Sequence, residues 1–126
     1  MAIDAACASG AHSIGCAYNH IRFGGLKAAV TGAGDFPYSP AVMAAWCAMR
    51  VLSRRNDTPA NACRPSGADR NGLVLGEGAG VLILEAESSA KRRGSPLLAE
   101  IKGYGASGDS HHLTQPSQYG PVLANE

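Results

Sequence analysis

Residues 7–34, CASGAHSIGCAYNHIRFGGLKAAVTGAG, read as a helix, a stop and a short buried strand. Ile14, Tyr18 and Ile21 recur at i, i+4 and i+7, which places them on one helical face, and Gly24-Gly25 predicts the end of the helix. Small residues, among them Ala8, Ala11, Gly15 and Ala17, cover much of the remaining surface. Such a helix is built to be packed on several sides. Ala28 to Thr31 then predicts a strand that ends in Gly32-Ala33-Gly34.

Working outward, Ser39 and Pro40 have the character of an N-cap and a first-turn residue. They open a second predicted helix that carries Val42, Trp46 and Met49 inward and ends near Leu52. Residues 53–71 hold Asn56-Asp57-Thr58-Pro59 and Arg64-Pro65-Ser66-Gly67 without periodicity, so they predict a long loop, and such loops within compact domains tend to be functional. Leu73 to Leu75 and Ala79 to Glu85 predict a bent extended segment interrupted by Gly76-Glu77-Gly78. Its unbroken Val-Leu-Ile-Leu run implies burial on both faces. A short helix from Glu87 to Arg93, stopped by Gly94, leads to a further predicted strand at Leu97 to Tyr104. Helices alternating with buried strands indicate an α/β layered fold.

The chain has 126 residues, 45% of them hydrophobic and 17% charged, with a formal net charge of +1. No basic cluster exceeds Lys91-Arg92-Arg93, so nucleic acid is not an expected partner. No apolar run approaches the roughly 20 residues that cross a bilayer and no leader pattern opens the chain, so no membrane span and a cytoplasmic location are expected. Four cysteines at irregular spacing, with no C-x-x-C, suggest neither a zinc site nor a redox dithiol. Cys16, Cys47 and Cys63 read as small buried hydrophobes.

Cys7 is different, because it stands where an extended segment meets a helix. Unpaired N–H groups and the positive end of the helix dipole stabilise a thiolate there. The small residues of Ala5-Ala6-Cys7-Ala8-Ser9-Gly10 leave room for a thioester, and the Cys7 amide is in position to donate to an oxyanion. Position alone leaves both readings open, a nucleophile and an inert cysteine at a helix start.

Ala6-Cys7-Ala8-Ser9-Gly10 resembles the active-site segment of β-ketoacyl synthases, and further landmarks of that family follow in order. They are Leu52-Ser53 with Asn56-Asp57 and Pro59, Arg64-Pro65, Arg70-Asn71-Gly72, Gly76-Glu77-Gly78-Ala79-Gly80, Arg93-Gly94, Gly103-Tyr104-Gly105, and Asp109 with His112, Thr114 and Pro116. The resemblance implies a thiolase-like layered αβαβα fold of which only the central part is present. Residues 1–86 would end the N-terminal half of a partial ketosynthase domain, and 87–126 would begin the C-terminal half. It implies a homodimeric acyltransferase that receives an acyl group on Cys7 and condenses it with a malonyl unit in fatty-acid or polyketide synthesis. Both substrates would arrive on acyl carrier protein, which supplies the phosphopantetheine, so no cofactor or metal of the chain's own is expected.

By the same resemblance Trp46 would lie near the acyl pocket and Arg50 near the pantetheine entrance. Asp109, His112 and Thr114 would border the cavity, with Thr114 near the pantetheine arm. The family's two catalytic histidines, their lysine and a glycine-rich gating loop would fall beyond Glu126. Ser66 and Gly67 stand where the family usually has an aromatic residue and Asp, which removes an expected polar anchor. A catalytically incomplete fragment, or another thiolase-fold acyltransferase, is the alternative.

Two other signals carry less. Gly103-Tyr104-Gly105-Ala106-Ser107-Gly108 matches a dinucleotide fingerprint, but loop-forming residues follow where a helix is required. Adjacent His111 and His112 point opposite ways in an extended segment and lack a third ligand nearby, which favours a structural or supporting role over a metal site. His12 and His20 read as packing or surface residues, and Glu77 as either a buried carboxylate or a turn residue.

Overall fold

A computed structural model describes residues 1–118. They divide into two compact units, one formed by Met1–Ala33 with the chain from Gly80 onward, the other by Gly34–Ala79.

In the first unit a 3-10 turn, Ala6–Ala8, leads directly into helix α1, Ser9–Arg22. The end of α1 follows from glycine chemistry. Gly24 has φ +78°, and Gly24 N–H donates to the Ile21 carbonyl while Gly25 N–H donates to that of His20. This Schellman pair satisfies carbonyls that the last turn leaves open, in a left-handed conformation that costs glycine nothing. Of the small residues on α1, Gly15 and Ala17 are enclosed while Ala11 is exposed, and Ile14, Tyr18 and Ile21 are half-buried.

Strand β1, Ala28–Asp35, continues four residues past the expected Thr31. It pairs with β2, Gly78–Glu85. Gly32 meets Gly80 and Val81, Gly34 meets Ala79 and Gly78, and Ala86 N–H donates to the Lys27 carbonyl. One index rises as the other falls, so the ladder is antiparallel. Gly32, at φ +154°, lies so near the Gly80 carbonyl that a Cβ there would collide with it. Helix α3, Glu87–Arg92, follows β2 and closes on Gly94 at φ +69°.

The second unit holds α2, Pro40–Ala48, with Ser39 as N-cap accepting from Val42 N–H at 3.3 Å. Beyond it, Leu52 and Leu73 form an isolated parallel bridge that closes the long loop, which contains a 3-10 turn at Pro59–Asn61.

The structure corrects several expectations. Cys47 and Cys63 are exposed and Cys16 is half-buried, so these three are not the buried hydrophobes expected. Helix α2 ends at Ala48, short of the expected Leu52. Burial of β2 on both faces is absent, since Val81, Leu82 and Ile83 are 64%, 47% and 74% exposed. Nothing among the described residues covers them. Leu97 to Tyr104 has no ladder partner among the described residues, so it is not a strand. Leu73 to Leu75 contributes only the bridge at Leu73. On α2, Val42 and Met49 are exposed whereas Met43 and Trp46 are half-buried. Residues 41–48 are apolar on every side, so their pattern selects no face.

Candidate active site

Cys7 occupies the 3-10 turn, two residues before α1, and is exposed. Ala8 N–H donates to the Ala5 carbonyl at 3.0 Å, which makes this turn. The chain enters it through Ala6 at φ +48°, a left-handed conformation that costs a non-glycine residue about 1–2 kcal/mol. Asp4 Oδ1 accepts from Ala6 N–H at 3.1 Å. Ser9 Oγ accepts from Ala5 N–H at 2.8 Å and donates to the Ala6 carbonyl at 2.7 Å. The N-cap of α1 is Ala8, which has no side chain able to cap. The 3-10 turn takes over part of that task, because the N–H groups of Ala8 and Ser9 donate to the Ala5 and Ala6 carbonyls.

Contacts along α1 hold this turn in place. Gly10 packs against Ala33. Ser13 Oγ bonds with Thr31 Oγ1 at 2.9 Å, donates to the Gly32 carbonyl at 2.8 Å and accepts from Gly32 N–H at 3.2 Å. Ser13 has a single hydroxyl proton, so the Thr31 hydroxyl is the donor between them when Ser13 donates to the Gly32 carbonyl. His12, read from sequence as a packing or surface residue, bonds through Nδ1 with the Tyr104 hydroxyl, the rings lying edge-on with centroids 6.0 Å apart. Tyr18 donates to the Lys102 carbonyl at 3.1 Å. Residues 102–104 are thus seamed to the helix that follows Cys7.

His112 and Thr114 are exposed in the same unit. His112 Nδ1 accepts from the N–H groups of Thr114 and Gln115, at 3.1 and 3.2 Å. Asp109 accepts from His111 N–H at 3.2 Å and Ser117 N–H at 2.6 Å. Both side chains fold the 109–117 loop onto itself. Trp46 and Arg50 belong to the second unit, where Trp46 is half-buried on α2. Arg50 lies beyond the helix at φ +57° instead of one turn along it.

Four residues after Pro65, Asp69 ties the long loop together. Its Oδ2 accepts from Arg64 at 2.5 Å and Arg55 at 3.3 Å. Desolvation raises the Asp69 pKa, but the Arg64 charge, a backbone hydrogen bond and Arg55 together hold it below the usual carboxylate value. Glu77 lines a shallow, open concavity with Gly34, Asp35, Phe36, Gly78 and Ala79. Among the described residues no helix follows Gly108, so the dinucleotide fingerprint lacks its required context there. Among the described residues no cluster is placed to hold a metal, and no helix is long and apolar enough to cross a membrane.

Residues 1–90 match the family described as "Beta-ketoacyl synthase, N-terminal domain". The chain is 45% identical over 120 residues to 3-oxoacyl-[acyl-carrier-protein] synthase 2 of Vibrio cholerae, covering 95% of this chain and 29% of that protein. Its structure is similar to the crystal structure of a β-ketoacyl synthase from Burkholderia phymatum, with TM-score 0.88 and 39% identity over 96% of this chain and 30% of that one. A second similar structure is a type II polyketide ketosynthase in complex with its acyl-carrier protein, bound to the hexaketide, with TM-score 0.78 and 36% identity over 84% of this chain and 26% of that one. The chain thus spans under a third of the length of these relatives.

Proposed function

The chain belongs to the β-ketoacyl synthase family, and on that premise we propose that the protein carrying it condenses acyl and malonyl thioesters, with Cys7 as the acyl acceptor. The observation that carries this reading is the exposed Cys7 on a bent turn ahead of a helix with no side-chain cap. In the first half-reaction the Cys7 thiolate attacks the acyl-carrier thioester carbonyl and expels the pantetheine thiolate. In the second, the malonyl thioester loses carbon dioxide, and the resulting carbanion attacks the Cys7 thioester and releases the thiolate. Oxyanion stabilisation in the first step is the task of N–H groups at the turn, that of Cys7 first among them.

Acyl carrier protein is the partner in this reading, and it brings the phosphopantetheine. The polyketide synthase relative solved with its carrier supports that assignment. We place Trp46 at the acyl pocket, Arg50 at the pantetheine entrance, and His112 and Thr114 at the cavity's border, on the strength of the resemblance to the family. Residues 1–86 end the N-terminal half and 87–126 begin the next, which the family match over residues 1–90 supports. A homodimer in the cytoplasm completes the proposal, and the uncovered apolar side chains of β2 offer surface for subunit or interdomain contacts.

The test is to incubate the full-length protein with an acyl-carrier thioester and locate the acyl group by peptide mass spectrometry. The acyl mass is expected on Cys7. Its recovery on Cys16, Cys47 or Cys63 refutes the assignment.

A further inference from the structure

Alanine does not settle in a left-handed conformation unaided, yet Ala6, directly before Cys7, has φ +48°. One hydroxyl group closes over it from both sides. Ser9 Oγ accepts from Ala5 N–H at 2.8 Å, one residue before the bend, and donates to the Ala6 carbonyl at 2.7 Å, on the peptide that leads into Cys7. Its one proton is committed to that carbonyl. Ser9 is half-buried, and its backbone is fixed as the first residue of α1. The Asp4 carboxylate steadies the Ala6 amide at 3.1 Å, but it is exposed and touches only that one side of the bend.

We propose that Ser9 is the positioning residue for Cys7: its hydroxyl holds Ala6 left-handed and so fixes where the Cys7 thiol and amide point. Without it Ala6 relaxes toward the right-handed or extended conformations that alanine prefers, and the Ala6–Cys7 peptide turns with it. Ser9 itself touches neither substrate nor the reacting sulfur. The inference rests on Cys7 being the acyl acceptor.

Full-length wild-type, Ser9→Ala, Ser9→Thr and the double variant Ser9→Ala/Ala6→Gly are to be compared in single-turnover acyl transfer to Cys7, over a range of acyl-carrier concentrations. Ser9→Ala is expected to lower the maximal transfer rate about 10- to 100-fold, the scale of a misplaced reacting group, with the half-saturating concentration unchanged. Ser9→Thr keeps the hydroxyl and restores the rate. The double variant recovers much of it, because glycine takes a positive φ at no steric cost.

A Ser9→Ala protein that transfers at the wild-type rate overturns the proposal. So does a loss that Ser9→Thr shares and Ala6→Gly does not recover, since Ser9 would then only pack. If Ser9→Ala does not fold, the other two variants decide: both active supports the proposal, and a folded but inactive double variant overturns it. Wild-type protein that carries no acyl group on Cys7 refutes the underlying assignment and the proposal with it, before any variant is compared.

Discussion

Exposure alone does not single out Cys7, because Cys47 and Cys63 are exposed as well. What sets it apart is the backbone around it, bent at Ala6 and bridged by Ser9. Replacing sulfur with oxygen keeps that backbone but leaves a hydroxyl that stays protonated at neutral pH, so Cys7→Ser in the full-length protein is expected to abolish condensation. Steady-state turnover with acyl and malonyl carriers checks this, and unchanged turnover rules out the nucleophile. The sequence made Cys7 legible through its small neighbours and its place before a helical pattern. Ser9 was hidden, because a serine among small residues looks like spacing until the positive φ beside it is seen. Asp69 was hidden for a related reason, since its link to Arg64 and Arg55 depends on how an aperiodic loop folds back.

Among the elements, the helices were the most legible. Ser39, Gly24 and Gly94 act as the caps and stops that their chemistry implies. Residues 97–104 were misread as a strand, because propensity reports that a segment is extended and not that a neighbour exists to pair with it. Its link to α1 is made by side chains. The Tyr104 ring lies where a Gly15 Cβ would stand, so Gly15→Ala overpacks the seam and should cost about 1–3 kcal/mol in the full-length protein. Tyr104→Ala in the same background is expected to remove most of that penalty, a non-additivity measurable by denaturant unfolding. The junction of β2 and α3 depends on pH. Hydrogen bonds from Arg93 and then Ser89 lower the Glu85 pKa from 4.5. A depressed carboxyl stabilises the fold above its unfolded pKa, and that contribution fades as pH falls through the lower folded value. In the full-length protein Glu85→Gln should therefore melt below wild-type at pH 7, with the gap closing in acid beneath the folded pKa.

For the molecule as a whole, exposed apolar surface is the dominant fact. The chain presents 9970 Å², where a self-contained monomer of 12.9 kDa presents about 6,300 Å². The excess includes Phe23, Val30, Val81, Ile83 and Leu98, each more than 60% exposed, and among the described residues the enclosed hydrophobic core comprises Ala17, Ala62 and Ala90. Burying a large apolar side chain contributes about 1.5–3 kcal/mol, so leaving five of them in water forgoes an amount comparable to a domain's whole net stability of about 5–15 kcal/mol. Among the described residues β1 and β2 form a two-stranded sheet, and a pair of strands without further cover is marginal in water. The 126-residue chain made alone is therefore expected to lack a cooperative melt as a monomer. It is also expected to lack condensing activity, because the step that follows acylation needs donors to stabilise the malonyl carbonyl as carbon dioxide leaves, and groups that act as a unit lose nearly everything when members are missing. By the resemblance the histidines for that step are expected outside these residues, and the chain spans 29% of its Vibrio cholerae relative. Calorimetry on the purified chain, alongside an assay with acyl-carrier and malonyl-carrier, tests both halves. A sharp monomeric transition would mean that the exposed strand faces need no cover, and β-ketoacyl product would mean that residues 1–126 contain a sufficient catalytic set.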